Sequence, residues 1–191
     1  SRGIKSTPYQ DPSFTISKPT IVIIPEYKLP DEKIYKTGLV LKTVKTIRGP
    51  HNVQDPRINS LSKLNCILAC IEAKNKKADE ALMFDINGNI ATNNSTHFFF
   101  IKKNIVYTST GEYCVKGITR NNIINICHKN NIKVFQKKFK LKEVLNADEA
   151  FVSGTFANII PVKKINNKVF KLNSSSLTNH LRKLYLKKIN S

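Results

Sequence analysis

The side chains with the most reactive chemistry in this sequence are four cysteines, Cys66, Cys70, Cys114 and Cys127. Cys66 and Cys70 are spaced one turn apart on a predicted helix. A structural zinc site needs four ligands, usually two close pairs of Cys or His, and no second pair or His cluster completes such a spacing here. The sequence therefore predicts no metal site, and it favours buried, reduced thiols in a reducing compartment.

The excess of lysine is the second feature with chemical consequences. The 191 residues include 32 Lys and Arg against 13 Asp and Glu, which gives a net charge of +19. A lysine ammonium is a hydrated point charge that suits a phosphate backbone better than bidentate recognition of a base edge. This charge is unusual for an enzyme of small molecules and ordinary for a protein that contacts RNA. A sequence biased towards Lys, Asn and Ile would also supply the lysines, and both explanations can hold together.

The element that organises these residues is predicted over residues 55–73, where a loop turns into an amphipathic helix. Leu61, Leu64, Leu68 and Ile71 recur at spacings of three and four residues, which predicts that they form the buried face. Lysines follow at residues 74–77, where cations suit the carboxyl end of a helix dipole.

The rest of the chain alternates predicted strands with short helices. Strands are predicted over residues 20–24, 38–47, 80–85, 89–92, 97–102, 105–108, 133–139, 149–153, 159–164 and 168–172, and helices over residues 116–130, 141–145 and 175–188. The strands between residues 80 and 108 are predicted to form an antiparallel meander. This mixture indicates a compact α+β or α/β domain over residues 19–191, preceded by an irregular arm or linker over residues 1–18. No apolar run is long enough to span a membrane.

Four segments carry a recognisable pattern in the same order and spacing. They are the helix and strand IEAKNKKADEALMFD, the hairpin DINGNIATNNSTHFFFIKKNIVYT, the helix start KGITRNNII and the strand pair ADEAFVSGTFANIIPV. Together they resemble the large, C-terminal domain of the fold-type IV pyridoxal-phosphate enzymes, which include branched-chain and D-amino acid aminotransferases and aminodeoxychorismate lyases. The resemblance implies an α/β (α+β) fold with a mixed, mostly antiparallel sheet or pseudo-barrel and flanking helices. The family's small N-terminal domain is expected to be absent.

The same resemblance implies a cradle for the cofactor phosphate. Ile118 and Thr119 match the family's pair at a helix start, where free N–H groups bind phosphate, and Thr155 matches a second hydroxyl. A structural interpretation competes with this one, because threonines beside glycines are common at helix caps and strand ends.

Two positions that carry the family's chemistry differ in this chain. Asn59 stands at the position of the Schiff-base lysine, and an amide cannot form an imine. Lys63 lies about one helical turn, ~6 Å, further on. Thr92 replaces the glutamate that keeps the pyridine nitrogen protonated. His97 replaces an asparagine, and a lone His at the start of an apolar strand is more often a packed residue than a catalyst.

These features support two hypotheses. The first is a non-catalytic aminotransferase-like domain that contacts RNA and protein subunits in a large ribonucleoprotein such as an organellar, for example mitochondrial, ribosome. No cofactor is expected in that case. The second is an active pyridoxal-phosphate aminotransferase or lyase that uses Lys63, and the aminotransferase fold could form homo- or hetero-dimers. A cytoplasmic location is the alternative to an organelle. The candidate RNA contacts are Lys74, Lys76, Lys77, Lys137, Lys138, Lys140, Lys142, Lys163, Lys164, Arg182, Lys183, Lys187 and Lys188.

Overall fold

A computed structural model describes residues 3–190, so the first two residues of the predicted arm lie outside it. Its helices are α1 (Ile34–Thr37), α2 (Leu64–Asn75), α3 (Ile118–Lys129), α4 (Leu141–Leu145) and α5 (Leu177–Ile189). Its strands are β1 (Leu39–Thr43), β2 (Glu80–Phe84), β3 (Ile90–Asn93), β4 (His97–Lys102), β5 (Ile105–Thr108), β6 (Val134–Gln136), β7 (Glu149–Gly154), β8 (Asn158–Ile165) and β9 (Lys168–Val169). No helix in the described part of the chain is both long and apolar enough to cross a bilayer.

The described strands form a single mixed sheet in the order β3-β2-β1-β8-β7-β4-β5-β6, with β9 paired to β8. Five of the strand pairs are antiparallel. Three are parallel: β1 with β2, β1 with β8, and β5 with β6. The sheet is therefore mostly antiparallel, as predicted. The predicted meander is only partly present, because β3 and β4 lie far apart in the strand order.

Residues with positive φ mark the turns of the β2–β3 and β4–β5 hairpins. Gly88 has a φ of +71° between β2 and β3, and Lys103 and Asn104 have φ values of +48° and +59° between β4 and β5. In the β4–β5 turn, positive φ at both central residues matches the right-handed twist of a two-stranded ribbon. Glycine and asparagine tolerate positive φ best.

The core lies on both faces of β4. Successive side chains of a strand point to opposite faces, so Phe98 and Phe100 enter one hydrophobic cluster, and Phe99 and Ile101 enter another. All four side chains are at most 2% exposed. This burial on two sides explains why the strand is a continuous apolar run and does not alternate.

Helix α2 is present, but the prediction of its buried face was wrong. The side chains that pack against the sheet are small ones, Ala69 and Ala73. Leu64 is 69% exposed, and Leu68 and Ile71 are about half exposed. Leu61 precedes the helix and is fully exposed. A helix lies close to a sheet where its contact residues are small, so the tertiary packing selected the alanine face over the leucine face.

The strand predicted at residues 20–24 was also wrong. The segment belongs to no strand, and residues 21–24 are between 72% and 85% exposed. β-Branched residues stabilise a strand only through pairing and packing, and Pro19 and Pro25 flank this segment without backbone donors. The strand predicted at residues 168–172 is shortened to Lys168–Val169.

Candidate functional site

A cleft of about 660 Å³ lies between the start of α2, the β3–β4 turn, the segment before α3 and the end of β7. The structure brings every position that the resemblance assigned to the cofactor site to the wall of this cleft: Asn59, Lys63, Thr92, His97, Ile118, Thr119 and Thr155. Arg48, Cys66 and Asn93 also line the cleft, and the sequence patterns did not predict this place for any of the three.

The amino end of α3 opens into this cleft. Gly117 is the N-cap and provides no side-chain cap, and its carbonyl accepts the first intrahelical bond from the Asn121 N–H at 3.0 Å. The N–H groups of the first turn therefore have no acceptor within the helix. Thr119 is buried beside them. A helix start of this kind, with a hydroxyl nearby, fits a phosphate group.

Two buried arginines strengthen the positive potential on this side of the molecule. Arg48 donates to the Tyr113 carbonyl (3.0 Å), the Cys66 sulfur (2.6 Å) and the Pro56 carbonyl (3.2 Å). Arg120 donates to neutral oxygens, and its Nε atom has no hydrogen-bond partner. Neither guanidinium forms an ion pair with any carboxylate of residues 3–190. Both charges are therefore uncompensated locally, which favours an anion nearby.

No Asp or Glu is among the described residues that line the cleft. The Thr92 hydroxyl donates to the Thr96 carbonyl at 3.0 Å. Asn93 donates to the Thr96 hydroxyl at 2.8 Å, while its Oδ1 atom is buried without a partner. An amide oxygen accepts hydrogen bonds, but it carries no full negative charge to hold a pyridinium.

His97 packs against the segment that leads into α3. Its Nε2 atom lies 2.6 Å from the Val115 carbonyl. Burial lowers the pKa of His97, so the imidazole is neutral and donates from Nε2. A Cβ atom on Gly117 would lie 2.4 Å from the His97 ring, so glycine is required there for close approach. His97 therefore positions the helix start and is not arranged as a catalyst.

The two candidate attachment residues lie at the start of α2. Asn59 is exposed in the preceding loop, and Lys63 is the half-buried N-cap residue. Cys66 and Cys70 follow on the same helix and also line the cleft, as does Cys114. All four cysteines of the chain are free. Within residues 3–190 no group of three or more His, Cys, Asp or Glu side chains is arranged to hold a metal ion.

Pyridoxal phosphate, the cofactor that the resemblance implies, fits this cleft only in part. The helix start, Thr119, Thr155 and the nearby Arg48 suit its phosphate. The ring end lacks a carboxylate for the pyridine nitrogen, and Asn59 cannot supply an imine nitrogen. The residues present therefore match an anion-binding site better than a site for amino-group transfer.

The candidate RNA contacts are divided between side chains with a partner in the chain and side chains that extend from the surface. Lys137 and Lys138 pair with Glu143 and Glu112. Lys140 donates to the Asn87 carbonyl, Lys76 to that of Thr43, and Lys188 to the Asn122 side chain, while Arg182 stacks on Tyr35. The remaining candidates are Lys74 at the end of α2, Lys77 just after it, Lys142 on α4, Lys163 and Lys164 on β8, and Lys183 and Lys187 on α5.

Comparison with known proteins places this fold and cleft in one family. The sequence pattern of the family "Amino-transferase class IV" matches residues 2–165. "Branched-chain-amino-acid aminotransferase-like protein 2" of Arabidopsis thaliana is 35% identical over 171 residues, which cover 88% of this chain and 30% of that protein. The branched-chain-amino-acid aminotransferase of Pseudomonas aeruginosa is 32% identical over 156 residues, 81% of this chain and 51% of that protein.

A solved structure gives the same result. The branched-chain amino acid aminotransferase from Thermobaculum terrenum, in its PLP form, superposes with a TM-score of 0.75 at 28% identity, over 79% of this chain and 50% of that one. The predicted fold class is thereby confirmed. This chain spans about half the length of the bacterial relatives it matches, and less of the plant ones. It belongs to the class IV aminotransferase family.

Proposed function

We propose that this chain is a non-catalytic aminotransferase-like domain that keeps the phosphate-binding half of the cleft and lacks the groups for amino-group transfer. The observation that carries the proposal is the cleft wall around Thr92. Its hydroxyl is engaged with the Thr96 carbonyl, and no carboxylate lines the cleft within residues 3–190.

The chemical argument concerns two separate groups. The electron-sink function of a pyridine ring depends on a protonated ring nitrogen, which a carboxylate stabilises and a hydroxyl does not. The covalent link and the proton transfer both need a lysine amine, and Asn59 offers only an amide. Either loss alone would impair transamination, and here both occur together.

The test is reduction of any imine with borohydride. The protein is incubated with one equivalent of pyridoxal phosphate and reduced, and the modified lysines are identified by mass spectrometry, with Lys63→Ala as the matched control. Surface lysines of so basic a chain will react weakly, so the informative result is a stoichiometric adduct at one site. We expect no such adduct, and no pyridoxamine phosphate after L-leucine is added to the unreduced mixture.

A second candidate function is an active aminotransferase or lyase that uses Lys63. The observation that favours it is the position of Lys63 at the cleft wall beside the phosphate cradle. A stoichiometric, reducible adduct that Lys63→Ala abolishes, together with amino transfer from L-leucine, would establish this function in place of the first.

The partner of the non-catalytic domain is, in our proposal, RNA within a large ribonucleoprotein such as an organellar ribosome. The net charge of +19 supports an anionic partner. The exposed cluster Lys74, Lys76 and Lys77 supports a phosphate contact, since no carboxylate among the described residues pairs with it. Cosedimentation of the tagged chain with ribosomes, or its absence from them, tests the assembly.

Salt dependence tests the RNA contact itself. Each phosphate contact with single-stranded RNA adds about 0.7 to the slope of log K against log salt. The triple change of Lys74, Lys76 and Lys77 to Gln should therefore reduce the slope by about 2. The matched control changes Lys103, Lys129 and Lys133, which are equally exposed and lie outside the candidate set. Equal losses in both triples would indicate a diffuse charge effect and would contradict a contact at the end of α2.

The outer face of α2 is our candidate for the dimer or subunit contact. Its side chains Leu64, Leu68 and Ile71 are large, apolar and between 47% and 69% exposed, and exposed apolar patches often mark contact surfaces. Self-association measured by sedimentation should weaken when Leu64 or Ile71 is changed to a charged residue.

A further inference from the structure

A second cavity, of about 420 Å³, lies apart from the cleft and shares no lining residue with it. It is formed by Glu32 and α1, by the start of β7, by the inner part of β8, by the segment over residues 170–174, and by the first half of α5. Cavities of a few hundred Å³ are the size at which proteins enclose one small molecule.

The floor of this cavity is apolar and partly aromatic. Tyr35 is 8% exposed and Phe170 is 3% exposed, and Pro161 and Val162 of β8 lie beside them. An aromatic ring or short aliphatic body could be buried on this floor, because its transfer from water onto apolar side chains is favourable.

Arg182 lines the cavity, and one of its hydrogen-bond donors has no acceptor among the described residues. Its guanidinium carbon lies 3.6 Å from the centre of the Tyr35 ring. Its Nε atom is buried and has no hydrogen-bond partner. The ion pair that it makes, with Glu32, is long at 3.8 Å, and the Glu32 side chain is 81% exposed. A guanidinium held flat on an aromatic face keeps its donors oriented for a planar or tetrahedral oxyanion.

Three lysines complete a positive rim. Lys36, Lys171 and Lys183 line the cavity, and none forms an ion pair with a carboxylate of residues 3–190. Glu149 also lines it but is occupied, since it accepts from the Leu177 N–H (3.0 Å), the Thr178 N–H (2.9 Å) and the Thr178 hydroxyl (2.6 Å). That carboxylate caps α5, so the helix start is already satisfied and the remaining positive charge belongs to the side chains.

We propose that this cavity binds a small organic phosphate, with its apolar body on Tyr35 and Phe170 and its phosphate against Arg182 and the lysine rim. Four cations line the opening against two carboxylates, Glu32 and Glu149, and Glu149 is engaged at the start of α5, so the remaining positive charge favours an anion. The site is independent of the proposed non-catalytic function, because none of its residues lines the cleft.

Calorimetric titration with phenyl phosphate tests this site. Phenyl phosphate should bind more tightly than both inorganic phosphate, which lacks the body, and phenol, which lacks the charge. Arg182→Gln should weaken binding about tenfold, because a charge-assisted hydrogen bond is lost. The double change Lys171→Gln and Lys183→Gln should weaken it several-fold, and it keeps the test valid if Arg182→Gln disturbs the packing on Tyr35. Because the cleft also fits a phosphate group, the titration is repeated on Thr119→Val, and only the binding that persists in this variant is assigned to the second cavity.

Three results would overturn the proposal. They are no binding of phenyl phosphate at millimolar concentration, loss of binding with Thr119→Val, and an affinity that Arg182→Gln and the lysine pair leave unchanged. Arg182 and Lys183 are also candidate RNA contacts, so RNA affinity is measured on the same variants. If RNA binding falls while phenyl phosphate binding does not, the residues belong to an RNA surface and the pocket proposal fails, whereas the triple at Lys74, Lys76 and Lys77 still tests RNA contact separately.

Discussion

Truncation of Leu68 tests which face of α2 is buried within the chain. The spacing of the apolar residues predicts that Leu68 lies in the core, whereas the structure exposes 47% of its surface. Leu181 on α5 is the matched control, because it is also a leucine within a helix and its side chain is 0% exposed.

The expected magnitudes differ by a factor of about three. A fully buried leucine contributes about 1.5–3 kcal/mol through its burial, and Leu68 is about half buried and leaves no enclosed cavity, so Leu68→Ala should lower the free energy of unfolding by about 1 kcal/mol. Leu181→Ala loses that burial and also creates a cavity, so about 3 kcal/mol is expected. Helix propensity changes equally in both variants and cancels in the comparison.

Urea unfolding at two protein concentrations, tenfold apart, measures both losses. A loss of about 3 kcal/mol for Leu68→Ala at either concentration would refute the structural assignment and restore the leucine face to the core. A loss that grows with protein concentration would instead show that a second copy covers the face, because stability then includes association.

Three further predictions concern ionisable groups and close packing. Hydrogen bonds from Thr46 and the Lys45 N–H lower the pKa of Glu72 below 4.5, so the stabilisation from its carboxylate is present above pH 4.5 and is lost as pH falls. In Glu72→Gln, the slope of the unfolding free energy against pH should be smaller below pH 4.5. Burial raises the pKa of Glu80 above 4.5, so the stabilisation from its protonated form is lost as pH rises through the raised pKa. Glu80→Gln should therefore gain stability relative to the unmodified chain above pH 4.5. A difference in unfolding free energy that stays constant with pH would contradict this expectation. Gly117→Ala should be destabilised by about 1–3 kcal/mol through contact with the His97 ring, and thermal unfolding should show partial recovery when His97→Ala is added.

Much of the fold was predictable because local patterns and tertiary structure agree. The run HFFFIK became β4 with the predicted bounds, and Ile105–Thr108 and Leu141–Leu145 also match. The asparagine and glycine turns determine where strands reverse, since they accept positive φ. The resemblance then supplied the order of the motifs, and the cleft collects each of its predicted positions.

The errors arose where packing partners decide the outcome. The outward leucines of α2 satisfy a helical period, but the period does not reveal which side meets the sheet. Residues 20–24 have strand-forming composition, but pairing depends on a neighbour that the segment itself cannot specify. Arg48 gave no local signal, because a single arginine after a strand resembles any surface residue until the fold buries it.

The sequence by itself therefore determined the positions of most strands and turns and the basic charge, and its resemblance to the family implies that Asn59 and Thr92 stand at two chemical positions. Those properties depend only on residue types and on spacing between residues close together in the chain. The tertiary structure alone decided that the alanines of α2 contact the sheet, that Arg48 lies at the cleft, and that Arg182 stands on Tyr35 at the rim of a second cavity. Each of these depends on contacts between residues far apart in the chain, which no local spacing encodes.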